Sequence, residues 1–385
     1  MKIIYYSSTF FADCDFPLIG ELQRMGHDVS YYIPVASYNL RSTLFDIKQL
    51  HPKTGIFRAT DIYEEFRAYE RVIDLSRVFV VNKKYKQKYH PINLLLMLRL
   101  AWRFYKQNPD VIQLTCEPSL IMKCLYLIKE KLVLTVHDPF LHSGASSKSK
   151  ERNRMTAFNN IKKLVLLNDC QMKDFSKYYN ISLSHIFLSK LGKYDCIEHV
   201  AALPSHINQP YILFFGLIAE YKGIEFLLEA MKKVHQNHPD VMLVVAGGGK
   251  YYFDISAYQK LDYIQFRNYY ISTAELSGLL QGCLFGVCPY KDATQSGVVQ
   301  TAFSLGVPMV VTNVGALPTT VEHKKTGLVV KPCDVDALAN GICQMLDDGY
   351  LLSSMRDTIN KEWIPSMNWR PIAEDYKKCY KTKIE

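Results

Sequence analysis

Tyr211-Ile212-Leu213-Phe214-Phe215-Gly216-Leu217-Ile218-Ala219-Glu220-Tyr221-Lys222-Gly223 is the stretch from which the fold is read. Five apolar residues of strand length run into a glycine-containing loop. From Gly223 to His238 the apolar positions return at helical spacing, and residues 241–246, Val-Met-Leu-Val-Val-Ala, form a second strand-length run. Strand, helix and strand in this order predict a parallel sheet flanked by helices.

The alternation continues outward in both directions. Downstream, strands are expected at 263–266, 286–289 and 308–312, with helices at 273–281 and 297–305. Upstream, 2–6, 28–33, 111–114, 132–136 and 163–167 read as strands, and 17–25 as a helix that stops at Gly26. Between the two series, residues 199–210 carry two prolines and no period, and are read as an interdomain linker. The expected architecture is α/β, with two doubly wound parallel-sheet domains in tandem. Ligands in such sheets bind beyond the carboxyl ends of the strands, so residues just after a strand are favoured as site residues.

Composition agrees with two packed domains: the chain has 385 residues and 48% hydrophobic content. No apolar run approaches the roughly 18–20 residues of a membrane helix, and the start, Met1-Lys2-Ile3-Ile4-Tyr5-Tyr6, reads as a strand. A cytoplasmic protein is expected. Its ten cysteines stand singly, without metal-ligand spacing, so free thiols are expected and no metal site. The net charge of +9 lies wholly in the first half, where residues 1–205 hold 29 Lys/Arg against 19 Asp/Glu and the remainder holds 17 against 18. That asymmetry suits an anionic partner, a phosphorylated substrate or an anionic membrane face. No nucleic-acid motif is present, and no such partner is expected.

Four segments could carry chemistry. Pro289-Tyr290-Lys291-Asp292-Ala293-Thr294-Gln295-Ser296-Gly297-Val298 runs from a strand end through a polar loop into a helix start. Free amides and the positive helix end would suit a diphosphate there, although ordinary N-capping by Ser296 fits the same spacing. In the loop after 211–215, Gly216 permits close backbone approach and Lys222 could offer a charge to a phosphate; a surface lysine beside a glycine is the plain alternative. Gly247, in Gly247-Gly248-Gly249-Lys250, marks a tight turn near a nucleotide but lacks the dinucleotide-binding spacing. His137, with Asp138 and the nearby His142, closes the 132–136 strand and is a cleft candidate, against a purely structural histidine. A fifth segment, Lys83-Lys84-Tyr85-Lys86-Gln87-Lys88-Tyr89-His90 and the apolar stretch through Trp102 and Lys106, fits either anionic lipid headgroups or a basic loop leading into a core helix.

Taken together these residues resemble family 4 of the retaining glycosyltransferases (glycosyl transferases group 1). The likeness spans essentially the whole chain and is sharpest between residues 214 and 332. Phe214-Phe215-Gly216-Leu217-Ile218 with Tyr221-Lys222-Gly223 is similar to the family's first phosphate loop. Pro289-Tyr290 with Thr294-Gln295-Ser296-Gly297-Val298 is similar to its diphosphate-binding helix start, and Gly306-Val307-Pro308 and Lys325-Thr326-Gly327 to the turns beyond it.

The resemblance implies the GT-B fold, two Rossmann-like doubly wound domains facing across a cleft. It places an acceptor-side domain at 1–205, a nucleotide-sugar-binding domain at 206–365, and a helix at 366–385, including Trp369, that crosses back to the first. It implies Gly216, Leu217, Lys222, Gly247, Gln295, Ser296, Gly297, Val298 and Thr301 around the donor, with Tyr270 and Ile271 lining the base. His137 and Asp138 would stand near the transferred sugar. The family's paired glutamates are replaced by Ala293 and Thr301, leaving Asp292 as the substitute carboxylate and Thr301 or Gln300 for the ribose.

The activity implied by the resemblance is that of a retaining, metal-independent hexosyltransferase. It would use a UDP- or GDP-sugar as co-substrate, need no cofactor, and act on a saccharide hydroxyl, lipid-linked and peripheral to the membrane, in surface polysaccharide or glycolipid synthesis. A nucleotide-sugar-binding protein with impaired turnover, and a sugar-nucleotide epimerase on the same scaffold, remain as alternatives.

Overall fold

The computed structural model describes residues 1–87, 89–140, 147–293 and 297–384. The chain divides into two compact units, one of Met1–Gly192 with Trp369–Glu385, the other of Lys193–Asn368.

The first unit is built on an eight-stranded sheet. Its strands are β1 (Lys2–Tyr6), β2 (Asp28–Ala36), β3 (Gly55–Arg58), β4 (Val78–Lys83), β5 (Val111–Leu114), β6 (Leu132–Val136), β7 (Lys163–Leu166) and β8 (Ile186–Leu188). They lie in the order β3-β4-β2-β1-β5-β6-β7-β8, and all pairs are parallel except β3 with β4. Central strands covered on both faces read as unbroken apolar runs; β5 and β6 are accordingly buried at every residue. The edge strand β3, four residues long and half-exposed, has no such signature and escapes a reading by pattern.

The first helix runs from Ala12 to Arg24, a turn earlier than the expected start at Pro17. Ser8 caps the short turn Thr9–Phe11 through the Phe10 amide, and that turn feeds directly into the helix. Proline inside a helix forfeits one backbone bond, and here the surrounding burial of Phe16, Leu18 and Ile19 keeps the helix intact. Asp15, a buried residue of this helix, accepts from the Tyr5 and Tyr31 hydroxyls at 2.7 and 2.8 Å; burial pushes its carboxyl up to about 7.

The Trp369–Lys381 helix belongs to this first unit although the second unit precedes it in sequence. Tyr376 Oη lies 2.9 Å from Thr135 Oγ1, Tyr380 donates to Gln113 Oε1 at 3.1 Å, and Lys163 Nζ donates to the Tyr380 carbonyl at 3.0 Å. Each of these groups is buried, where a lost partner costs about 1–3 kcal/mol.

The second unit has six parallel strands: β9 (Tyr211–Phe215), β10 (Met242–Ala246), β11 (Ile264–Arg267), β12 (Gly286–Cys288), β13 (Met309–Thr312) and β14 (Gly327–Val330). Their order is β11-β10-β9-β12-β13-β14. The chain thus winds outward one way from β9 and then the other way from β12, and the crevice beyond the carboxyl ends of these two neighbours is the topological switch point. Helices Ile224–Asn237, Thr273–Gly282, Gly297–Ser304 and Val335–Asp347 cover the sheet.

Residues 199–210, expected as the linker, lie on this second unit, and the division falls earlier, between Gly192 and Lys193. The segment is irregular, as its prolines require, yet it is tied down. Leu203 donates its amide to the Ala274 carbonyl at 2.9 Å, and Arg267 donates to the Ser205 carbonyl at 2.7 Å.

All ten cysteines are free thiols. No helix among the described residues is long and apolar enough to cross a membrane.

Candidate functional site

The loops after β9 and β12 meet at the switch point of the second sheet. Two glycines make the approach of backbones possible. Gly247, just after β10, has φ of 153°, and a Cβ there would stand 1.8 Å from the Gly216 carbonyl oxygen. Gly223, with φ of 62°, would place a Cβ 2.1 Å from the Pro289 oxygen. Both positions require a residue without a side chain. The Gly216 amide donates to Ala246 at 3.0 Å and the Ile218 amide to Gly248 at 3.1 Å, so the β9 loop is stitched to the β10 loop. On its other side, a Cβ at Gly216 would touch Val298 at 3.4 Å, which brings the loop to the start of the Gly297–Ser304 helix.

Lys222 is the buried cation of this arrangement, 7% exposed. Its ammonium donates to the Tyr290 hydroxyl and sits 3.9 Å from the centroid of the Tyr290 ring and 5.1 Å from that of Tyr221. Burial pushes the ammonium down from 10.5 to about 8, a fall that the nearby Cys288 opposes. Here an ammonium is held by π-electrons and one hydroxyl, with no carboxylate partner among the described residues. Such a charge is incompletely compensated and suits an incoming anion. Tyr290 itself is fixed by Thr312, whose hydroxyl donates to the Tyr290 carbonyl at 2.6 Å. The neighbouring Lys291 differs: it is held by Glu225 at 2.9 Å and Glu220 at 3.7 Å.

Of the other residues expected around a donor, those within the described residues are placed as follows. Leu217 is 63% exposed in the β9 loop. Gly297 and Val298 open the helix and are half-buried, with the Tyr194 ring close to Gly297. The Thr301 hydroxyl donates to the Gly297 carbonyl at 2.8 Å, leaving its lone pairs and not its proton for a ribose. Gln300 is buried with its Oε1 lacking a partner among the described residues. Asp292 is half-buried, and no hydrogen bond or ion pair of its carboxylate occurs among the described residues. Tyr270 and Ile271 come after β11 in a loop whose backbone, at Tyr269 and Tyr270, would stand 3.4–3.6 Å from a Cβ at Gly248. Beside them, Arg267 and Tyr269 both donate to Glu275, at 2.9 and 2.8 Å. Thr294, Gln295, Ser296 and His142 lie outside the described residues.

In the first unit, His137 stands just after β6. Its ring stacks on Phe11 with centroids 4.0 Å apart and planes 15° from parallel. Burial holds it neutral, pushing it down to about 4, with Asp138 pulling the other way. Nε2 is shielded from solvent and has no partner among the described residues, so it remains available to a ligand oxygen. A cleft of about 560 Å3 opens beside it, lined also by Glu117, Asp138, Lys123 and Arg152. Arg154 forms part of its wall, paired with Glu117 at 3.3 Å and bonded to the Asp138 and Pro139 carbonyls. Among the described residues no three His, Cys, Asp or Glu side chains gather as metal ligands.

Two partners are not legible in the sequence. Phe11 is far from His137 in the chain, and nothing in its spacing points to the stack. The role of Tyr290 has a signal: it stands directly beyond β12, beside the strand that delivers Lys222, which becomes meaningful once the strand order is known.

Residues 209–348 match the family described as Glycosyl transferases group 1. An uncharacterized glycosyltransferase of Methanocaldococcus jannaschii is 28% identical over 185 residues, 46% of each chain. A GDP-mannose-dependent α-(1-6)-phosphatidylinositol monomannoside mannosyltransferase of Mycobacterium tuberculosis is 28% identical over 177 residues, 42% of this chain and 44% of that one. The matches thus span less than half the length of these curated relatives. Anabaena HepE in complex with UDP-glucose superposes with a TM-score of 0.69 at 14% identity, covering 98% of both chains. Residues 209–348 thus carry the signature of the group 1 glycosyl transferases across the switch-point loops of the second unit, and the chain, with its two Rossmann-type parallel-sheet units, has the GT-B fold.

Proposed function

We propose that this chain is a retaining glycosyltransferase that moves a hexose from a nucleoside-diphosphate sugar to a saccharide hydroxyl. The observation that carries the reading is the buried Lys222 ammonium at the switch point, set against the rings of Tyr290 and Tyr221 and lacking a carboxylate partner among the described residues. Charge develops on the diphosphate as the sugar leaves, and a preorganised cation with the amides at Gly297 and Val298 stabilises it without reorganisation. The departing phosphate oxygen takes the acceptor's proton as the hydroxyl attacks from the same face, so neither a protein nucleophile nor a metal is assigned a step. His137, kept neutral, offers its ring nitrogen to a sugar hydroxyl, and Asp292 stands in for the carboxylate beside the donor sugar.

Support for a nucleotide sugar comes from the UDP-glucose held by the HepE structure. The lipid-borne acceptor of the mycobacterial relative and the basic first half support an acceptor at the anionic inner face of a membrane, in surface polysaccharide or glycolipid synthesis. Thermal melting with UDP-glucose and GDP-mannose tests the donor: a ligand that binds only the native state raises the melting temperature. No shift with any UDP- or GDP-sugar would refute the proposal, whereas a shift without transfer to any acceptor would favour the turnover-impaired binding protein.

A further inference from the structure

The Pro91–Gln107 helix packs Leu96, Leu100 and Phe104 inward, all 5% exposed or less. Its outer face should then be polar, and it is not. Ile92, Leu95, Leu98, Trp102 and Tyr105 project into solvent at 42, 51, 52, 59 and 61% exposure. Their spacing of three and four residues puts them on one stripe. The stripe's charges are all of one sign: Arg99 and Lys106 are exposed on the helix, and Lys84 and Lys86 stand in the segment leading to it. From residue 75 to residue 109 the sequence has eight Lys/Arg and no Asp or Glu. Trp102 stacks with Tyr105 at 5.8 Å, and Lys106 lies 5.6 Å from the Trp102 ring.

We propose that this face is an interfacial docking surface for a bilayer containing anionic lipid, the helix lying in the plane of the interface. Aliphatic side chains enter the acyl boundary, Trp102 and Tyr105 sit at headgroup level, and the cations contact lipid phosphates. A second copy of this chain is a poor occupant, because identical cationic rims would face each other. Arg103 does not take part; it turns inward over Phe79 and Tyr32, at 5.0 and 5.6 Å. The inference rests on the reading of the chain as a transferase with a membrane-borne acceptor, and adds which surface meets the membrane.

Trp102 supplies its own reporter, since Trp363 and Trp369 are 7 and 5% exposed and only Trp102 is open to solvent. The full chain is mixed at low salt with vesicles of phosphatidylglycerol and phosphatidylcholine, or of phosphatidylcholine alone. Sedimentation with the anionic vesicles and a blue shift of tryptophan emission are expected, the shift being absent from Trp102→Phe. Arg99→Gln with Lys106→Gln should weaken binding about 25-fold, from roughly fivefold per charge, and Leu95→Ser with Leu98→Ser by about tenfold or more. Failure of the wild type to sediment with anionic vesicles overturns the proposal, as does sedimentation without movement of the Trp102 emission. A wild-type dimer that Leu95→Ser with Leu98→Ser dissociates, without vesicle binding, also overturns it. The donor-induced melting shift, measured on the same samples, separates these failures from failure of the transferase reading.

Discussion

Replacing Lys222 by methionine keeps the stem of the side chain and removes its charge. Lys222 is 7% exposed as a residue, and burial brings loss of its proton down from 10.5 to about 8. That difference corresponds to about 3 kcal/mol by which burial disfavours the charged form. Below about pH 8 both folded and unfolded chains carry the proton, and the folded chain bears the whole cost. Between about 8 and 10.5 the unfolded chain keeps a proton that the folded chain has released, so stability rises with pH over this window.

From pH 7 to pH 9.5 the wild type should therefore gain about 2 kcal/mol relative to Lys222→Met. Urea unfolding at the two pH values reads this difference and cancels other titrating groups, which both proteins share. Donor binding should run the other way. At pH 9.5 about 3% of Lys222 remains charged, so apparent donor affinity should fall about 30-fold, with proton uptake on binding. In Lys222→Met donor binding should be weak at both pH values. If the stability difference is the same at both pH values, or donor affinity is indifferent to pH, the role given to Lys222 is refuted.

Three further outcomes are expected from the geometry. Gly247→Ala forces a Cβ to within 1.8 Å of the Gly216 carbonyl, and should destabilise the second unit by about 3 kcal/mol or more, read as a lowered urea midpoint. His137→Ala should lower kcat while donor affinity holds, and the wild-type rate should show no acid limb near 6.5, because burial keeps the imidazole neutral down to about pH 4; a limb near 6.5 that disappears in the variant would contradict this. Exhaustive treatment with EDTA should leave transfer rates unchanged, and their loss with recovery on adding a divalent cation would disprove metal-independent transfer.

Most of the second unit is readable in the sequence because its strands are buried on both faces. Tyr211–Phe215 and Met309–Thr312 are apolar runs bounded by turn residues. In the first unit β3 and β8 leave no such mark, one a half-exposed edge and the other three residues long. The pattern Val78-Phe79-Val80-Val81 of β4 does carry a signal, obscured by the lysines after it. At the site, Gly216, Gly247 and Lys222 can be named from position after strands. Tyr290 and Phe11 cannot be assigned their roles that way, since a stacking partner is set by which strand ends lie side by side, and adjacency across a sheet leaves no periodic trace.

Polar groups of β5, β6 and β7 find their partners on the Trp369–Lys381 helix. The first unit therefore cannot reach its final packing when its first 192 residues have left the ribosome; it waits with Gln113, Thr135 and Lys163 uncovered until residue 381 arrives. The second unit is contiguous and needs nothing made after residue 368. During synthesis the later unit should mature before the earlier one, and a truncation ahead of Trp369 would damage the part of the molecule farthest from it in sequence.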